Sequence, residues 1–102
     1  MLKKTIIYWR DIPSQVIVQR GRHREKAMLA ARFQEAIDRA AMRAGKGGSD
    51  AYIAEWRRES SKVDSAEDPA TVAAAEVRRL EDAMSDEQLL ALIRNHGSAD
   101  VL

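Results

Sequence analysis

The sequence predicts an α+β domain: an N-terminal antiparallel β-hairpin packed on a long helix, followed by three shorter helices. Three observations carry this expectation. The stretch from Lys4 to Gln19 is the only strongly β-prone segment, and it holds Tyr8, Trp9 and Pro13. A connection of about five residues divides it, too short for a parallel crossover and suited to a hairpin. Beyond it, apolar residues recur three and four apart, the spacing of one helix face.

Along the first strand, Thr5, Ile7 and Trp9 share one face, and Ile6, Tyr8 and Arg10 the other. Both sets hold apolar side chains, so both faces are expected to be partly covered. Arg10 to Ser14 reads as the turn. Pro13 has no backbone donor and biases Ile12 to an extended conformation. Val16, Ile17 and Val18 are all β-branched and make the second strand. No convincing third strand follows. The hairpin edges are therefore either blunted by charge or used for a partner, a second copy included.

Arg20 to Lys26 reads as a basic turn in which Gly21 permits an unusual backbone angle. The long helix is expected from about Arg24 to Ala44, on a stripe of Ala30, Phe33, Ile37, Ala40 and Ala44. The glycines of residues 45–48 end it. A short second helix starts at Ser49 or Asp50 and runs to about Arg58, with Tyr52, Ile53 and Trp56 on one side. Residues 59–67 read as a polar loop. Asp68 and Pro69 open a third helix with the stripe Ala73, Val77, Leu80 and Met84. Ser85 and Gln88 form a capping box for a fourth, rich in leucine, which His96 and Gly97 stop. Residues 98–102 are a tail.

The 102 residues make one domain, 45% apolar and 32% charged. There are no cysteines, which excludes disulfides, zinc ribbons and thiol catalysis. The lysines at the start mimic a signal peptide, but Arg10 and Asp11 interrupt the apolar run too early. No apolar run reaches the roughly 18 residues that span a membrane. A cytoplasmic location is the expectation. The net charge of +1 hides a division: residues 1–62 carry +7 and residues 63–102 carry −6. Either the halves neutralise each other on packing, or a basic face meets an anionic partner.

Few side chains sit in a pattern that carries chemistry. His23 and His96 lie in no metal-ligand spacing, and the serines occupy turns and caps rather than a nucleophile elbow. Adjacent carboxylates such as Glu81 and Asp82 diverge on a helix. The glycine-rich loop at 45–49 precedes a helix, a shape able to receive an anion, yet it lacks the phosphate-loop pattern. No catalytic residue, metal ligand or cofactor is assigned. The basic cluster Arg20, Arg22, His23, Arg24 and Lys26 is the most suggestive group. At a helix start it opposes the helix dipole, a cost an anionic ligand would relieve. Tyr8, Trp9, Tyr52 and Trp56 suit packing, and a part-exposed Trp9 beside Arg10 suits a protein contact.

The string Tyr8-Trp-Arg-Asp-Ile-Pro-Ser-Gln-Val16, with Phe33 to Gly45 and Asp50 to Trp56, resembles the small bacterial "virulence factor" domain family. The resemblance covers about residues 4–60, and the acidic C-terminal helices lie outside it. The family name describes a phenotype and implies no reaction. Stand-alone members of this length resemble proteins encoded beside folate- and corrinoid-dependent methyl-transfer enzymes. The resemblance thus implies an accessory subunit in one-carbon metabolism.

Two readings follow. In the first, the chain is a non-enzymatic accessory protein that binds another protein through the hairpin edge, with Tyr8, Trp9, Arg10, Asp11, Ile12 and Pro13 as interface candidates. In the second, it is a small anion- or nucleic-acid-binding module using Arg20, Arg22, His23, Arg24 and Lys26. Nucleic acid is the weaker partner, because no aromatics interleave with that cluster and the net charge is near zero.

Overall fold

A computed structural model describes residues 1–45 and 48–99. Strands β1 (Leu2–Trp9), β2 (Ile12–Arg20) and β3 (His23–Met28) come first. Helices α1 (Ala31–Arg43) and α2 (Ser49–Ala54) follow, then strand β4 (Trp56–Val63) and helices α3 (Pro69–Asp82) and α4 (Asp86–Arg94). The four strands form one antiparallel sheet in the order β3-β2-β1-β4. The α+β class and the β1–β2 hairpin agree with the sequence reading.

Two strands depart from it. Residues 23–28, expected as the basic turn and the start of the long helix, form β3 against β2. Residues 56–63, expected as helix end and loop, form β4 against β1. The hairpin edges are therefore not open, since β1 and β2 are the two central strands. The first helix starts only at Ala31 and, at 13 residues, is no longer than α3 at 14. The physical reason is pairing. Arg24, Lys26 and Met28 alternate with His23, Glu25 and Ala27, and β2 supplies a complete ladder for them. Helix propensity yields to that tertiary contact.

The β1–β2 ladder contains a bulge. Ile7 pairs with Gln15 and Tyr8 with Pro13, so Ser14 is an extra residue. A bulge is where a central strand tolerates proline, which cannot donate to the ladder. The freed Ser14 carbonyl accepts from Leu29 N at 3.1 Å and draws the end of β3 toward α1.

One sheet face carries the core. Leu2, Ile6, Val16 and Val18 are buried on it together with Phe33, Ala36, Ile37 and Ala40 of α1. Ala73 of α3 and Leu89, Leu92 and Ile93 of α4 complete this single cluster. Local signals fix the later helices as expected. Pro69 occupies the first turn of α3, and the Ser85–Gln88 capping box is formed at α4. Ile53 departs from the expected α2 stripe and is 64% exposed. The anion-loop reading at 45–49 and the tail at 98–102 fall partly outside the described residues.

Candidate functional site

Strand alternation sorts the side chains of the sheet into two sets. On the helix-covered face the pairing aligns Glu25 with Val18, Lys4 with Val18, and Ile6 with Glu59. On the other face it makes three rows ahead of a fourth, Ile12, Trp9 and Trp56, that closes into the core. The first row is Arg24, Gln19, Lys3 and Lys62. The second is Lys26, Ile17, Thr5 and Ser60. The third is Met28, Gln15, Ile7 and Arg58. These twelve positions hold five cations and no carboxylate. Both carboxylates of β3 and β4, Glu25 and Glu59, fall on the opposite side.

Lys3, Gln19, Arg24, Lys26, Met28, Arg58, Ser60 and Lys62 are all exposed. Thr5 and Ile17 are nearly buried at the centre, each 7% exposed, under the long side chains around them. Thr5 Oγ1 and Ser60 Oγ share a hydrogen bond of 3.0 Å. Lys3, Arg24 and Arg58 wall a shallow depression of about 170 Å³ above Thr5, Ile17 and Gln19. None of the five cations makes an ion pair among the described residues.

The interface candidates from the hairpin turn have a different place. Trp9, Ile12 and Pro13 are fully buried, so the part-exposed Trp9 of the sequence reading is corrected. The Trp9 Nε1–H donates to the Tyr52 carbonyl at 2.9 Å, and its ring stacks on Tyr52 at 6.0 Å. Arg10 has φ of 52° in the two-residue β1–β2 turn. Its Nε donates to Glu55 Oε1 at 3.0 Å, its Nη1 to the His96 carbonyl at 3.0 Å, and its guanidinium lies over Trp9. Asp11 accepts from Arg57 Nη2 at 3.0 Å and from the Ala99 amide at 2.6 Å. The recognisable Tyr8-to-Pro13 string is thus a knot that ties the turn to α2, β4 and the C-terminal loop.

Tyr8 is half-buried under the Arg57 guanidinium, 4.3 Å from its ring. Burial, and then the nearby Glu59 charge, push its hydroxyl above the ordinary tyrosine range. Next to it, Glu76 of α3 is held by Arg79, whose Nε donates to Oε1 at 3.0 Å, and by Lys4 Nζ at 3.3 Å. The Arg79 hydrogen bonds hold this carboxyl below its usual range against the opposing effect of burial, with Lys4 adding to them.

The basic run at 20–26 is divided by the same alternation. Arg20 turns to the helix side, where its Nη2 donates to the carbonyls of Ser65 and Glu67 at 2.9 and 2.8 Å. His23 pairs with Glu25 at 2.7 Å. Arg22 is exposed in the turn beside Gly21, whose φ is 58°. Only Arg24 and Lys26 reach the open face, and they do so from a strand rather than a helix start. The helix-dipole argument for an anion there does not apply. Lys3, Arg58 and Lys62 were missed because the strand holding two of them has no apolar alternation to reveal it. Neutralisation between the charge halves occurs on the helix side, through Lys4–Glu76 and Arg32–Asp86.

Among the described residues no three His, Asp or Glu side chains converge as a metal site, and no helix is long and apolar enough to cross a membrane. Comparison with curated proteins and with solved structures finds no match. A family model described as "Virulence factor" matches residues 7–93, extending past the resemblance at 4–60 through α3 and into α4. The knot at Tyr8 to Pro13, both added strands and the acidic helices fall within one matched unit, and the chain belongs to the virulence factor family.

Proposed function

We propose that the protein is a non-enzymatic accessory protein that works by binding another protein with the open face of its sheet. Exposure alone does not argue for this, because antiparallel sheets commonly leave one face to water. The supporting observation is the sorting of charge. A solvated face ordinarily mixes signs. Here five cations share twelve positions with no carboxylate, around a centre of Ile7, Ile17 and Thr5. The resemblance to proteins encoded beside folate- and corrinoid-dependent methyl-transfer enzymes makes such an enzyme the first partner to test.

Site-specific photo-crosslinking in cells tests the reading. A crosslinking side chain placed at Gln19 samples the open face, and one at Ala74 samples exposed α3. A protein captured from position 19 and not from 74, and lost on Arg58→Glu/Lys62→Glu, is the expected result. Equal capture from both positions, or none from position 19, overturns it.

A further inference from the structure

We propose that the occupant of the open sheet face is an acidic amphipathic helix of a partner protein. This rests on the reading that the face binds protein, and adds the partner's chemistry. The face is about 14 Å wide across four strands spaced roughly 4.8 Å, wide enough for a helix of about 10–12 Å diameter. Its accessible apolar surface is the half-buried Ile7 and the exposed Met28, which share one row, while Ile17 and Thr5 lie nearly buried beneath the side chains around them. Its cations stand around that surface. Arg24 and Lys26 line one edge strand, Arg58 and Lys62 the other, and Lys3 lies between.

A helix with an apolar stripe flanked by Glu and Asp on both sides matches this pattern. Its stripe meets Ile7 and Met28, and its carboxylates reach both edge strands. One carboxylate fits the depression walled by the three cations Lys3, Arg24 and Arg58. Charge-assisted hydrogen bonds of this kind fix orientation as well as affinity.

Nucleic acid fits the same cations less well. Single strands are held by aromatic platforms on which bases stack, and the three rows contain no aromatic residue. The net charge of +1 leaves the rest of the molecule acidic, which opposes a long phosphate chain. A second copy would have to bring its acidic α4, with exposed Asp86 and Glu87, onto this face, and self-association lost in the face variants would overturn the proposal.

The test is fluorescence anisotropy with the intact chain and a labelled helical peptide bearing a Leu/Ile stripe flanked by glutamates. The comparison probes are a scrambled peptide of the same composition and single- and double-stranded oligonucleotides of the same charge. Arg24→Glu/Lys26→Glu and Arg58→Glu/Lys62→Glu should each weaken the peptide at least tenfold. Arg39→Glu/Arg43→Glu, on exposed α1 positions, should change it less than twofold. The scrambled peptide should bind at least fivefold more weakly. Circular dichroism confirms that each variant is folded, and sedimentation confirms that the chain does not self-associate through this face. The proposal is overturned if an oligonucleotide binds more tightly and is the probe lost in the face variants. It is equally overturned if the two peptides bind alike, if no peptide binds, or if face and control variants behave alike. If crosslinking at Gln19 captures a partner while the acidic peptide fails, the occupant is wrong and the protein-binding reading stands.

Discussion

Trp9 and Gly97 meet so closely that a Cβ on Gly97 would lie 2.8 Å from Trp9 Cζ3, with Ala40 Cβ behind it at 3.5 Å. Gly97 also has φ of 88°, a region that L side chains rarely adopt. Two demands thus converge on one residue. Gly97→Ala is expected to cost about 2–4 kcal/mol, from backbone strain and overpacking together. Chemical denaturation measures it. An unchanged midpoint would show that the C-terminal loop moves off the indole without penalty.

Arg10 shows the opposite choice, a side chain kept where glycine would be easier. Its φ of 52° is left-handed, yet the side chain holds Glu55 and the His96 carbonyl. Arg10→Ala loses both contacts and retains the strain. Arg10→Gly loses both and relieves it. The Gly variant should therefore be more stable than the Ala variant by about 1 kcal/mol, with both below wild type. Urea midpoints give the order. A Gly variant above wild type would mean that the Arg10 contacts contribute less than the strain they hold in place.

How far the sequence disclosed this molecule depends on how local each signal is. Pro69 and the Ser85–Gln88 box act within one helical turn, so α3 and α4 are legible. The β1–β2 hairpin is legible because its residues are β-branched and its turn is short. Strands β3 and β4 are not, because edge strands carry charge against unwanted pairing. His23 to Met28 and Trp56 to Val63 then look like helix or loop until a partner strand is known. The open face is illegible for the same reason. Lys3, Arg24 and Arg58 are far apart in sequence, and only the register brings them around one depression. Trp9 misled the reading because aromatic side chains suit cores and interfaces equally well.

Acid should expose the Glu76 cluster. The carboxyl is nine-tenths buried and held below its ordinary value of 4.5, chiefly by Arg79 and further by Lys4. A carboxyl whose pKa is lower when folded adds stability above its unfolded value. That contribution is lost as pH falls through the folded value. Glu76→Gln should therefore be less stable than wild type at pH 7, by about 1–3 kcal/mol for a charge-assisted bond. The gap should narrow as pH falls below the ordinary carboxylate value and close once pH has passed the lower folded one, where the wild-type carboxyl also becomes neutral. Thermal melts across pH 3–7 follow the two curves. Parallel curves would remove Glu76 from the acid sensitivity of the fold.

Arg20 fastens the segment between β4 and α3 to the end of β2, since its Nη2 serves the carbonyls of both Ser65 and Glu67. Those carbonyls lie outside the sheet ladder and the helix, so the guanidinium is what holds this strap. Lysine offers a single ammonium on a flexible stem and does not reproduce the arginine geometry. Arg20→Lys and Arg20→Ala should therefore both loosen residues 64–68 while leaving the core of Leu2, Ile6 and Val18 intact. A glutamate-specific protease reads this directly at Glu67, which is exposed on the strap. Cleavage should accelerate severalfold in both variants with little change in the global unfolding midpoint, because local opening precedes global unfolding. If cleavage rises only in proportion to a fall in that midpoint, the strap opens only when the whole domain does, and Arg20 supports the fold rather than the segment.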